Sequence, residues 1–216
     1  MLLNNILIKA LILFLLTANL VHAGNIVDDT LQAVKLDDAA GVMEGLQLGM
    51  EVNFVDDEGN SLLMIAAREG STQVSAILLN YGAKTFLNNA YGDNALLLAT
   101  FAGHEAIVDM LLAKHASLGA NPHGWTPLHY AAYAGHSHLI TKFIAFGANI
   151  NSATDNGLTA LMLASMNGHI EVVRTLLLNK ADKELRDANN RTAADHALAG
   201  NNTIIAHLLQ AIAVNK

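Results

Sequence analysis

Cysteine is absent from all 216 residues. Disulfides, thiolate catalysis and cysteine-ligated zinc are excluded together, so stability has to come from packing. Basic charge is also scarce: 12 Lys and Arg face 19 Asp and Glu, the net charge is −7, and no Lys/Arg block occurs. Such a chain lacks the electrostatic footprint for a nucleic-acid backbone or an anionic membrane surface, and neither is expected as a partner. No G-x-S-x-G elbow, P-loop or dinucleotide fingerprint is present. The carboxylates follow loops and helix caps rather than pairing, so neither catalytic residues nor a cofactor are expected. No Pro/Ser-rich linker, low-complexity tract or second domain interrupts the sequence. Aromatic residues make up only 5% of the chain, so the places where they gather are informative.

Apolar residues are plentiful, at 52% with a mean hydropathy of +0.33. Part of the excess lies in residues 1–23, where Lys9 is the only charge before an apolar run from Ala10 to Leu16. Val21-His22-Ala23 then offers a small-x-small pattern. This is the layout of a secretory signal cut after Ala23. The run is short for a membrane span of about 20 apolar residues. An uncleaved leader would instead make the protein a membrane-tethered scaffold. Cleavage removes Lys9 and no acid, moving the net charge to −8. The expected location is periplasmic or secreted, with no membrane contact after cleavage.

The rest of the chain keeps a beat. Gly59, Gly92, Gly124, Gly157 and Asn190 lie 33, 32, 33 and 33 residues apart. A second series, Gly70, Gly103, Gly135, Gly168 and Gly200, runs at the same period, as does a third, Gly82, His115, Gly147 and Lys180. Three phase-locked positions at one period mean a stacked array of repeats. The clearest copy is Gly124–Asn151. There Thr126 suits a helix N-cap and Pro127 the first helical position. Leu128, Ala131 and Ala132 make an apolar stripe, and Gly135 ends the first helix. Leu139, Ile140, Phe143 and Ile144 line a second helix that ends at Gly147. Neither helix is long enough to be stable alone.

Thr126-Pro127-Leu128-His129, Ala131-Ala132, Gly135-His136 and Gly147-Ala148-Asn149-Ile150-Asn151 together resemble the ankyrin repeat. The resemblance covers residues 26–216 and extends to exported ankyrin-repeat proteins. It implies an all-α, ankyrin-type solenoid of stacked helix–turn–helix units with short hairpin-like fingers. The expected organisation is a signal peptide at 1–23 and a degenerate capping repeat at 24–58. Four repeats follow at 59–91, 92–123, 124–156 and 157–189, and a C-terminal cap at 190–216. In the N-terminal cap, Leu31 and Val34 supply one helix and Val42, Leu46 and Leu48 the next. In the C-terminal cap Asp195 stands where His129 does, and the phases from Thr192 and from Gly200 differ by one residue.

The resemblance implies a non-catalytic module, expected to be monomeric, that binds a protein or peptide on its concave face. That face is implied to comprise the finger tip, the residue after the turn glycine and the two residues after the Ala-Ala pair. Asp57, Glu58, Asn60, Arg68 and Glu69 supply it first, then Ala90, Tyr91, Asp93, Phe101 and Ala102. Pro122, His123, Trp125, Tyr133 and Ala134 come next, and Asp155, Asn156, Leu158, Met166 and Asn167 last. Tyr91, Phe101, His123, Trp125, Tyr133, Leu158 and Met166 are the candidate partner-binding residues, since clustered aromatics with a polar rim have the composition of an interface centre. The alternative places these rings between neighbouring repeats as framework. His104, His136 and His169 share one repeat position, from which a ring can bond backbone across the gap between repeats. The resemblance implies that His129 pairs with the Thr126 hydroxyl. A small-molecule or metal site using His123, Trp125 and the His136-x-His138 pair is the rival reading, but no phased carboxylate completes a ligand set.

Overall fold

A computed structural model describes residues 26–211. The signal pattern at 1–23 and its cleavage point lie outside the described residues. The chain forms helices α1 (26–35), α2 (Ala39–Gln47), α3 (Leu62–Glu69), α4 (Thr72–Asn80), α5 (Ala95–Ala102) and α6 (Glu105–Ala113). They continue as α7 (Pro127–Ala134), α8 (Ser137–Ala145), α9 (Ala160–Met166), α10 (Ile170–Leu178), α11 (Ala193–Ala199) and α12 (Thr203–Ala211). Helices this short are unstable alone, and what holds them is a shared core that includes Leu62, Leu96, Leu128, Leu161 and Phe143. The odd-numbered helices from α3 to α11 pack successively as an inner layer. The outer layer packs closely as α2, α4 and α6 and again as α8 and α10, with sparser contact between α6 and α8 and between α10 and α12.

Each inner helix starts the same way. Ser61, Asn94, Thr126, Thr159 and Thr192 have extended backbone, and each side-chain oxygen accepts the N–H three residues on. Such a cap satisfies one of the donors that a helix start leaves unpaired. The reciprocal partner varies. His129 Nδ1 accepts from the Thr126 N–H at 3.1 Å, whereas Asp195 Oδ2 accepts from the Thr192 N–H at 2.8 Å. Asp195 therefore replaces histidine in the same capping role.

The fingers between repeats are tight turns. Gly59, Gly92, Gly124, Gly157 and Asn190 all have positive φ, and each N–H donates three residues back, as from Gly124 to the Asn121 carbonyl at 2.9 Å. Among the described residues strand pairing is limited to isolated bridges, Val55 with Ser61 and Ala153 with Thr159.

Two expectations need correction at the caps. Gly200 has φ −84°, and the left-handed residue is Asn201, at φ 60°. Nine residues separate Thr192 from Asn201, as they separate Thr126 from Gly135, so the phase set by the cap wins and asparagine tolerates the conformation. Leu48 is 53% exposed and lies beyond the end of α2, while Val42 carries the burial there.

Candidate protein-binding face

The inner helices present the two residues after the small pair at their C-terminal ends. Carbonyls there have no partner within the helix, and the next repeat supplies one. His104 Nε2–H donates to the Arg68 carbonyl at 3.2 Å, His136 to that of Phe101 at 3.1 Å and His169 to that of Tyr133 at 2.9 Å. At the fourth step Asn202 Nδ2 donates to the Met166 carbonyl at 2.8 Å. The rings lie against Gly70, Gly103 and Gly135, where any Cβ would meet a ring atom at 2.9 Å or less. These glycines serve both positive φ and the close approach of the ring. The residues so held, Arg68, Phe101, Tyr133 and Met166, are the ones assigned to the concave face.

His129 acts differently. It is fully buried, and its Nε2 faces the carbonyls of Ser152 at 3.0 Å and Leu158 at 3.1 Å. Since Nδ1 accepts from Thr126, the proton sits on Nε2. Burial holds this imidazole below its usual pKa, against the two carbonyl bonds that favour protonation. The Thr126 hydroxyl lies 2.7 Å from Nδ1, the pairing that the family resemblance implies. His129 thus ties its repeat to the following finger and is unavailable to a ligand.

Phe101, Trp125 and Tyr133 come together, joined by Tyr130. Trp125 meets Tyr130 edge-on at 5.3 Å between centroids and Tyr133 at 5.7 Å. Phe101 stacks with Tyr133 at 6.3 Å and meets Tyr130 edge-on at 6.1 Å. Phe101 remains 49% exposed and Tyr133 40%, so this four-ring cluster spans two repeats and still faces solvent. Tyr130 is absent from the sequence-derived set because its position is aliphatic in the other full repeats, at Ile65, Leu98 and Leu163. A tyrosine where the other full repeats carry an aliphatic residue was the available signal. Its hydroxyl donates to Asp93 Oδ1 at 2.6 Å, and Asn121 Nδ2 donates to the same oxygen at 3.0 Å. Burial, then the Asp93 carboxylate, raises the Tyr130 phenol, so it stays a donor.

The other candidates are placed differently. Tyr91 is 66% exposed on its finger and pairs with no ring among the described residues. His123 is exposed at the next finger tip. Leu158 is half-buried and packs on the core, and Met166 is half-buried. Asn60, expected on the open face, is 3% exposed. It bonds Asp56 and Glu58 and accepts from Asn89 Nδ2 at 2.9 Å, which turns it into the finger stack. The histidine pair is no better placed for a metal. His136 Nε2 is occupied by Phe101, His138 lies 3.8 Å from Glu105, and no group of three His, Asp or Glu converges among the described residues.

The cluster sits at an unusual joint. Finger tips elsewhere are linked by backbone, from Ala90 N–H to the Glu58 carbonyl and from Ala188 N–H to Asn156, both at 3.0 Å. The corresponding donor beside Tyr91 is Pro122, which has no N–H, and its ring packs on Gly92 instead. Asn53 and Asn151 each accept a backbone N–H from the following finger at 2.9 Å, but Phe86 occupies the equivalent place at this joint. Here the repeats are joined by side chains: Tyr130 and Asn121 on Asp93, the ring cluster, and Lys142 on Glu105 and Asp109.

The family described as ankyrin repeats (3 copies) matches residues 31–122, 85–154 and 128–216. Over 122 residues the chain is 34% identical to a transient receptor potential cation channel subfamily A member 1 homolog of Caenorhabditis elegans, covering 56% of the chain and 10% of the relative. It is 27% identical over 181 residues to human SH3 and multiple ankyrin repeat domains protein 2, covering 82% of the chain and 10% of that protein. The human transient receptor potential cation channel subfamily A member 1 is 26% identical over 200 residues, with 73% and 18% covered. The chain therefore spans only 10% to 18% of the length of these relatives. With those matches running from residue 31 to 216 over stacked helix pairs, the chain belongs to the ankyrin-repeat family.

Proposed function

We propose that this protein–protein interaction module binds a protein or peptide partner through the cluster of Phe101, Trp125, Tyr130 and Tyr133. The observation that carries the reading is a contiguous, solvent-facing set of rings across two repeats in a chain with 5% aromatics. Rings in this arrangement combine apolar contact area with few rotatable bonds, as interface hot spots do. The proposed surface takes in Tyr91 and His123, exposed on the finger tips, and the half-buried Leu158 and Met166 of the following repeat. No residue is assigned a catalytic role. Replacing Trp125 and Tyr133 together by Ser tests the reading. The double variant keeps its helical circular dichroism and loses partner capture; unchanged capture by the folded variant refutes the assignment.

The proposal includes a place of work outside the cytoplasm, in the periplasm or secreted. It rests on the pattern of residues 1–23 alone, and the relatives' names add no support. N-terminal sequencing of the protein from its native host is decisive. A start at Gly24 supports export with cleavage, whereas a start at Met1 overturns cleavage and leaves the membrane-tethered scaffold, which fractionation with the membranes then tests.

A further inference from the structure

Resting on that reading, we propose that the cluster is a receptor for a cation, an arginine side chain presented by an extended segment of the protein partner, with Asp93 as its counter-ion. Asp93 lies within the cluster, since Tyr130, which touches both Trp125 and Phe101, donates to its Oδ1. Oδ1 also accepts from Asn121. Oδ2 has no hydrogen-bond partner among the described residues. A carboxylate oriented by two donors, with one oxygen spare beside aromatic faces, suits a cation that stacks and ion-pairs at once.

The surrounding charge has the same sign. Asp57 and Glu58 rim the face at one finger and Asp155 at another, all three exposed. The positive side chains of this face are already engaged. Arg68 is tied to Glu69 at 3.0 Å, and Arg191 holds Asp187 at 2.9 Å. An acidic partner would meet unpaired carboxylates, and a purely apolar anchor would bury Asp93 without compensation. Among cations, arginine fits better than lysine. Its planar guanidinium lies along the Phe101–Tyr133 stack and offers several donors, where an ammonium offers a point charge.

A random heptapeptide display library supplies the probe. Selection on the wild type should enrich arginine-bearing peptides, and the Trp125→Ser/Tyr133→Ser variant should retain none of them. A synthetic peptide from the enriched set should lose ~10-fold or more in affinity when its arginine becomes citrulline, which keeps shape but not charge. Asp93→Asn keeps an acceptor for Tyr130 and removes the charge. It should weaken the arginine peptide ~10-fold and the citrulline peptide far less, while the variant keeps its helical circular dichroism. Equal binding of the two peptides, or an Asp93→Asn variant that binds as wild type, overturns the cation assignment. If selected peptides lack arginine yet still need Trp125 and Tyr133, the face binds proteins by another chemistry and only this inference fails. If no peptide is retained, or retention is indifferent to the ring variants, the proposed binding face fails with it.

Discussion

Replacing Gly103 by Ala tests how closely one repeat's histidine is fitted to the glycine of the repeat before it. Gly103 has φ +80°, and an added Cβ would lie 2.6 Å from Cε1 of His136. The left-handed backbone alone costs an L residue about 1–2 kcal/mol. The ring must also leave the Phe101 carbonyl, 3.1 Å from Nε2, which forfeits a net hydrogen-bond contribution of about 1 kcal/mol. Gly103→Ala should therefore destabilise by about 2–3 kcal/mol. His136→Ala loses the same bond and some packing, about 1–1.5 kcal/mol. With no ring left to displace, the double variant should cost about 1 kcal/mol less than the two single costs together. Urea unfolding followed by far-ultraviolet circular dichroism measures all three, provided the slopes with denaturant agree among the proteins. Costs that add to within about 0.3 kcal/mol would refute the fitted contact.

Acid should weaken the protein in two stages. Burial depresses the His129 pKa, so the unfolded chain binds its proton first and stability falls as the pH drops below about 6.5. Burial alone would raise the pKa of Asp187, but hydrogen bonds from the Arg191 backbone and side chain, from His196 and from the Asn189 N–H bring it down to about 2. Its contribution is present above pH ~4 and is lost between there and pH ~2. Melting curves across pH should show both stages, and His129→Gln, which keeps a capping acceptor, should flatten the upper one; an unchanged upper slope contradicts this. Pro122→Ala restores a donor opposite the Tyr91 carbonyl, and the new amide should be protected from hydrogen exchange as those of Ala90 and Ala188 are. Exchange at the rate of a free finger tip would show that the joint stays open without proline.

The repeat was legible because backbone demands fall on particular residue types. Left-handed turns select glycine or asparagine, and capped helix starts select Ser, Thr or Asn, so Gly124, Thr126 and Gly135 disclose a whole unit. The same logic misled at Gly200, where counting glycines took precedence over the nine-residue distance from the Thr192 cap. Side-chain direction was less legible. Asn60 and Trp125 occupy the same repeat position, yet the amide turns into the finger stack while the indole joins the cluster. The contacts of Tyr130 depend on Asp93, 37 residues away, a relation no local pattern carries. The exposed placement of Phe101 and Tyr133 was legible because a histidine of the following repeat, His136 or His169, fixes the carbonyl of each.

Proline at 122 has a mechanical meaning. A solenoid bends where the links between successive units are fewest, and at this joint the finger backbone bond is missing and α6 meets α8 sparsely. The remaining ties are side chains, several of them members of the ring cluster. The compliance of the array would thus be concentrated at the proposed contact surface, so a partner gripping Phe101 and Tyr133 would hold both sides of this joint and set its angle.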